Sequence, residues 1–421
     1  MIFYKINAKF AWIFYSSDLG LKTDNNCYML YLLGFEFSLT ELIIFGVLLL
    51  MFVYQVYYYL NFIRVVIPNN KREKEGKLDF QREQLPVSVI ICAKDELENL
   101  KKFLPEVLSQ NYPDYEVIVV NDGEDEMTEI LLRDFKKIYP HLRSTFVPDG
   151  AKNLSTKKLA LTLGIKAAKN DWLLFTDADC LPESKSWIAS MARNFTPKTE
   201  FVLGYGAYLQ EKGFINRLIT YDTLFNALQY LGFAKAGNPY MGVGRNLAYK
   251  KDVFFRQNGF ASTLHLRSGD DDLMVNHAAT KDNTRIETSI ESITWSNPKR
   301  SFRNWYFQKE RHLSVSTYYR EKSKISLVVE PLVRGLFYLS FIALIVLSAW
   351  SANWLLLGAT ALLFAARFVL QLFIINKTSL YFGGRKYVLT LLLFDIILPV
   401  INAHIMTFGR MGSKAKYISW K

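Results

Sequence analysis

The chain has 421 residues, half of them hydrophobic and 15% aromatic, with a formal net charge of +12. That length exceeds one ordinary domain, and a mean hydropathy of only +0.07 fits membrane spans joined to a water-soluble domain better than either alone. Three cysteines, Cys27, Cys92 and Cys180, form no CxxC pair and no metal-ligand spacing, which excludes a disulfide framework and a zinc site and points to a reducing compartment.

Residues 1–40 resist assignment. The opening MIFYKINAKFAWIFYSSDLG is aromatic, is broken by Lys5 and Lys9, and lacks the apolar core and small-residue cleavage site of a signal peptide. Met29 offers an alternative start. Leu42 to Phe62 has the length of a bilayer span, and Tyr57, Tyr58 and Tyr59 at its far end suit the headgroup region. Arg64, Lys71, Arg72, Lys74 and Lys77 follow, and short basic flanks face the cytoplasm, where the next domain is therefore expected. The polar stretch 63–85 reads as a basic linker.

Residues 86–300 read as one soluble domain. VSVIICA (87–93), YEVIVVND (115–122) and WLLFTDAD (172–179) are apolar runs of strand length. Between them lie helical patterns at 96–110, 128–139 and 155–169, the last with Ser155 as its cap. Strands alternating with helices predict an α/β domain with a mostly parallel, Rossmann-like sheet, and ligands of such sheets sit beyond the carboxyl ends of the strands.

After Arg300 the composition changes. Residues 301–314 mix aromatics with charge, as an interfacial helix does, within an interfacial segment 301–330. Three apolar runs, Leu332–Trp350, Trp354–Ile375 and Val388–Phe408, read as spans within 331–410, ahead of a basic tail, 411–421. Arg367, Asp395 and His404 lie inside them and should face other helices or a wet cavity; Pro399 lies in the last. Three spans after a cytoplasmic domain place the C-terminus outside, whereas Arg410, Lys414, Lys416 and Lys421 prefer the cytoplasm. A re-entrant segment or a folded-back tail would reconcile them.

The third strand ends in Asp177 and Asp179. Residues two apart in a strand point to one side, and two carboxylates on one side attract a hard divalent cation, Mg2+ or Mn2+. The competing reading is a turn, where Asp is common; the place at a strand end favours a site. Asp122, followed by Gly123, and Asp95 end the other two strands. Each alone reads as a helix cap, but together the three strands put carboxylates on one rim. SGDDDLM (268–274) holds Asp270, Asp271 and Asp272, whose repulsion needs compensation; capping of the helix that follows explains one, and a general base is the natural role for another. Lys157 and Lys158 open a helix and would either meet phosphate or be exposed. Gln308, Arg311 and His312 alone read as a solvated helix face, and Cys180 as a bystander.

Together these pieces, over about Pro86 to His312, resemble the family 2 glycosyltransferases, inverting enzymes of GT-A fold. PVSVIICAKDELENL resembles the opening strand and helix, VIVVNDGEDE the second strand with its nucleotide-binding Asp, and KKLALTLGIKAA the lysine helix. FTDADCLPES resembles the DxD metal motif, and GVGRNLAYKKDVFFRQNGF the acceptor-side segment. SGDDDLM stands where the family carries its catalytic base, and Gln308-x-x-Arg311 resembles the Q-x-x-R-W motif of membrane-embedded polysaccharide synthases. Two departures matter. His312 replaces the Trp, which sets processive synthesis in doubt. Three aspartates without a glutamate leave the base open: counting back from Leu273 favours Asp270, whereas reading Asp-Asp for Glu-Asp favours Asp271, the preferred choice, with Asp272 as a further candidate.

The resemblance implies a nucleotide-sugar, expected to be a UDP-sugar, bound by Asp95, Glu96, Asp122, Lys157 and Asp177, with Gln308 and Arg311 closing over it. Asp177 and Asp179 would hold Mg2+ or Mn2+. The acceptor would be a glycan or a lipid: Q-x-x-R favours a synthase, while few spans favour single transfer to a lipid or an oligomer. Membrane lipids and a second copy of the chain are the other expected partners, and a bacterial inner membrane with the catalytic domain cytoplasmic is the expected location. The alternative is a non-enzymatic membrane scaffold with a degenerate nucleotide-sugar-binding domain. Nucleic acid is not expected, because the positive charge clusters beside the spans and no nucleic-acid motif is present.

Overall fold

The computed structural model describes residues 19–409 except 25–26, 33–34, 124, 149–155 and 267. The expected Ser155 cap, the first 18 residues and the basic tail with Arg410, Lys414, Lys416 and Lys421 lie outside the described residues. The chain divides into two compact units, Met1–Leu60 with Ser326–Ile374, and Asn61–Ile325 with Ile375–Lys421.

In the first unit, β1 (Leu19–Asp24), β2 (Cys27–Leu32) and β3 (Phe35–Ser38) form an antiparallel meander. Helix α1 (Leu39–Lys74) follows at once. A reciprocal cap starts it: the Glu41 N–H donates to Ser38 Oγ at 3.2 Å, and the Ser38 N–H to Glu41 Oε2 at 2.9 Å. That cap sets the start three residues before the apolar run, and the helix continues to Lys74, through much of the stretch read as linker. The unit's other parts come from two long helices, Glu321–Trp350 and Trp354–Tyr381. Arg367 is 1% exposed. It donates to Gln55 and, at 3.4 Å, to Tyr338 and Gln371, and its guanidinium lies 5.1 Å from the Phe337 ring centre. An ionisable group in an apolar helix is thus turned inward, as expected.

The second unit holds a seven-stranded sheet in the order β12-β9-β11-β7-β4-β5-β6. These strands are β4 (Val87–Ala93), β5 (Tyr115–Asn121), β6 (Leu142–Phe146), β7 (Trp172–Asp177), β9 (Phe201–Leu203), β11 (Leu247–Lys250) and β12 (Thr284–Ile286). All pairs are parallel except those made by β11. Every residue of β4 is buried, as a strand covered on both faces requires. On one face Val89 and Ile91 join Leu100, Leu104 and Val107 of α2 (Leu97–Leu108) in one core. On the other lies α4 (Thr156–Ala167), which follows α3 (Glu126–Ile138). A Cβ on its Gly164 would sit 2.8 Å from Ile90, so the missing side chain sets how closely helix and sheet approach.

A smaller sheet, β10-β13-β8, lies beside it, built from β8 (Cys180–Pro182), β10 (Gly206–Tyr208) and β13 (Thr294–Ser296). Helix α5 is Trp187–Ala192, α6 Phe214–Lys235, α7 Lys251–Arg256, α8 Asp272–Ala278 and α9 Phe302–Val315. The helices Glu321–Trp350 and Trp354–Tyr381 are α10 and α11, and α12 is Leu389–Phe408. Stretches of α1, α10, α11 and α12 are long and apolar enough to cross a membrane. The last belongs to the second unit: Phe394 packs 5.4 Å from Phe214 and 5.5 Å from Tyr221, ring centre to ring centre, and Asp395 is fully buried.

Candidate active site

Three strands deliver the carboxylates to one rim. Parallel pairing sets Ala93 beside Asn121, and Cys92 beside Asp177, so the residues that follow emerge together. Asp95 takes a left-handed φ of 48°. The Asp122 N–H donates to Ala93 O at 2.7 Å, and its carboxylate accepts from Lys94 at 3.3 Å. A Cβ on Gly123 would meet Asp95 at 3.4 Å, so Asp95 and Asp122 are neighbours. Glu96 stands at the N-cap position of α2, and its carboxylate accepts from Asn99 at 2.5 Å.

β7 ends at Asp177. The following turn, rather than strand alternation, therefore brings Asp179 round. One oxygen from each carboxylate and the Cys180 sulfur lie within 4.8 Å of one another. Burial, then the Asp177 charge, push the Asp179 carboxyl up to about 6, against the pull of Arg245. Burial and the same two carboxylates push the Cys180 thiol up, leaving it a neutral thiol within 2.9 Å of Ser296 Oγ. Two crowded carboxylates relieved by a cation, beside a thiol that stays protonated, suit a hard oxygen-liganded ion. Mg2+ or Mn2+ thus fits Asp177 and Asp179.

Lys157 of α4 joins the two acidic groups: its Nζ is 3.5 Å from Asp177 and 3.3 Å from Asp270. Burial opposes its charge, but Asp177, Asp270 and Asp271 outweigh burial and hold it protonated. Lys158 is fully buried instead and donates to Thr263 O at 2.5 Å and Leu266 O at 2.9 Å. It is neither exposed nor at the rim, and ties α4 to the loop before the acidic cluster.

The three aspartates have different surroundings. Asp270 is buried against Lys157, and that cation keeps its carboxyl low despite burial. Asp272 accepts from Tyr319 Oη at 2.7 Å and from the Leu273 N–H at 2.8 Å. Asp271 caps α8 through the Asp272 N–H and accepts from the Gly244 N–H at 2.6 Å. Burial, then Asp270, raise its carboxyl. Asp270 and Asp271 line the same small cavity as Lys157, Asp177, Gly244 and Tyr249.

Gln308 and Arg311 lie on α9. Gln308 donates to Tyr208 Oη at 3.0 Å, and Arg311 is close enough to Lys157 to oppose its charge. Between α9 and the metal-motif carboxylates lies a residue that sequence reasoning missed. The Arg245 guanidinium sits 4.3 Å from the Tyr208 ring centre and donates to Ala207 O at 3.2 Å. Burial works against its charge, but the Tyr208 ring and the carboxylates of Asp177 and Asp179 hold it cationic. The signal was the flanking glycines of Gly242-Val-Gly244-Arg245, since a Cβ on Gly242 would come within 3.1 Å of Leu247.

The family model described as Glycosyl transferase family 2 matches residues 88–256. The chain carries a family 2 glycosyltransferase domain. Glycosyltransferase AglE of Haloferax volcanii is 34% identical over 104 residues, 24% of this chain and 33% of that one. The poly-beta-1,6-N-acetyl-D-glucosamine synthase of Staphylococcus epidermidis is 36% identical over 93 residues, 22% of this chain and 21% of that one. The chain thus spans a third or less of the length of these two curated relatives. Among solved structures, the mannosyltransferase PcManGT from Pyrobaculum calidifontis, in complex with GDP-Man and Mn2+, superposes with a TM-score of 0.50 at 17% identity. The match covers 82% of this chain and 99% of that one. The glycosyltransferase domain has the expected GT-A fold, with its mostly parallel sheet and helices of membrane-spanning length.

Proposed function

We propose that this chain is a membrane-bound, metal-dependent inverting glycosyltransferase that moves a sugar from a nucleotide-sugar to a hydroxyl of a glycan or lipid acceptor. The observation that carries the reading is the convergence of Asp177, Asp179, Lys157, Asp270 and Asp271 at one rim of the sheet. Asp95, Glu96 and Asp122 accept hydrogen bonds from the nucleoside. Lys157 and Arg245 set positive charge against the diphosphate. Asp177 and Asp179 would hold Mg2+ or Mn2+, which when bound neutralises charge on the leaving diphosphate. Asp271 is the base, because it is the least buried of the three aspartates and its carboxyl is raised, whereas Lys157 occupies Asp270 and Tyr319 occupies Asp272. Asp271 takes the acceptor proton, the acceptor oxygen attacks the anomeric carbon from the opposite face, and the nucleoside diphosphate departs with inversion. Gln308 and Arg311 position the nucleotide or the acceptor from α9.

The test is nucleotide release by purified, detergent-solubilised chain with added membrane lipid, with and without Mg2+ or Mn2+. A UDP-sugar is the expected donor. GDP-mannose belongs beside UDP-glucose, UDP-galactose and UDP-N-acetylglucosamine because of the nucleotide bound by the Pyrobaculum protein. Metal-dependent release with one donor, lost in Asp179→Asn and Asp271→Asn, supports the reading. No release with any donor favours the scaffold. Product size separates the acceptor classes: a ladder means a polysaccharide, a single lipid band one transfer.

A further inference from the structure

At the edge strand β12 the second unit holds an open cavity of about 400 Å³ lined by Phe80, Arg193, Lys235, Lys281 and Arg285, with Glu73 and Glu287. That volume lies within the ~300–1,000 Å³ usual for small-ligand sites. Its acids are already used. Arg193 takes both, with Nε 2.8 Å from Glu287 and Nη1 2.5 Å from Glu73. Among the described residues, the hydrogen bond of Arg285 is from Nε to Asn194 Oδ1 at 3.2 Å, so its two terminal nitrogens still have donors to give. Phe80 lies under both guanidiniums, 4.3 Å from that of Arg193 and 5.9 Å from that of Arg285. Gly237, at φ +85°, lies where a Cβ would come within 3.2 Å of Lys281, and its lack of a side chain leaves that wall open. Burial disfavours the charge on two of these cations. Burial, then Arg72, push the Lys235 ammonium down to about 8. Burial holds Arg285 below its ordinary value, even with Asp79 and Glu287 nearby.

We propose that this cavity binds a phosphate group, with Arg285, Lys281 and Lys235 as its ligands. The guanidinium fork and two ammonium groups match a phosphate's several acceptor oxygens, and an anion there relieves the repulsion. The site does not depend on glycosyl transfer. Glu73 lies on α1 seven residues, about 10 Å of helix, beyond the apolar stretch Leu39–Val66, which suits the depth of a lipid headgroup. A soluble phosphate ester carries the same chemistry.

The test uses the full chain in phosphatidylcholine nanodiscs and reads amine acetylation at Lys235 and Lys281 by peptide mass spectrometry, with Lys137 as internal reference. The probes are phosphatidic acid in the bilayer and glycerol 3-phosphate in solution, the same headgroup with and without its acyl chains. Either probe near ten times its Kd should slow acetylation of both lysines about tenfold relative to Lys137. Protection by phosphatidic acid alone assigns the site to lipid; protection by both assigns it to phosphate esters at large. Arg285→Gln should abolish protection of Lys235. Lys281→Gln, at an exposed position, should do so without threatening the fold. No protection by either probe, or equal protection in wild type and both variants, overturns the proposal.

Discussion

Asp179 shows how one side chain trades stability for chemistry. Its carboxyl, raised by burial and by Asp177, resists ionising until something positive arrives. Asp179→Asn removes that strain and one ligand together. We expect nucleotide release to fall by about 100-fold or more, with a melting temperature equal to or above wild type in metal-free detergent. Asp271→Asn should cost about 100- to 10,000-fold, the range of a lost general base, and leave donor binding intact by titration calorimetry. Asp272 affects stability instead. Burial and Asp271 raise its carboxyl from 3.8 to about 8, so between those values the folded chain holds a proton that the unfolded chain has lost. Stability should therefore fall as pH rises through that window. Thermal melting from about pH 5 to about pH 8 should show the decline, and Asp272→Asn should flatten it.

At the scale of elements, α9 is fastened by an ion pair from an unspecified position of the Q-x-x-R motif. Lys309, inside Gln308-x-x-Arg311, is buried and donates to both oxygens of Asp222 on α6, at 2.7 and 2.8 Å. Lys309→Met strands a buried carboxylate and should cost about 3–5 kcal/mol, read as lowered detergent stability and weaker donor binding through displaced Gln308 and Arg311. Lys309→Met with Asp222→Leu should recover the stability, since replacing both partners removes the unpaired charge. In the sequence Lys309 sits among Gln308, Arg311 and His312, which alone read as a solvated face. Only the partner helix, 87 residues away, makes it an anchor.

At the scale of the molecule, four helices among the described residues have the length and apolarity of spans. We expect the chain to stay in the membrane pellet after alkaline carbonate washing and to enter solution only with detergent. Appearance in the wash would remove the membrane from the proposed function. The last of these helices contributes to the second unit through Phe394, so cutting the chain before Leu389 should destabilise the glycosyltransferase domain as well as remove a span. Loss of soluble yield from such a truncation, with Phe394→Ala as a milder version, checks this.

By itself the sequence determined what depends on neighbours along the chain. Apolar runs of strand length, helical periods between them and an apolar stretch of bilayer length are local patterns, and the structure has the three strands and the helices between them within a few residues of where they were expected, whereas α1 runs on to Lys74 and α10 begins already at Glu321. It also determined which strand ends carry carboxylates, because parallel pairing sends successive strand ends to one rim. Tertiary structure alone decided what depends on distance in space. It placed Lys157 between Asp177 and Asp270, separated the surroundings of Asp270, Asp271 and Asp272, and buried Lys158 while its neighbour stayed at the rim. It set Arg245 over Tyr208. Pairing across the fold changes a residue's desolvation and partners, and these set its charge; neither is written in the spacing of residues along the chain.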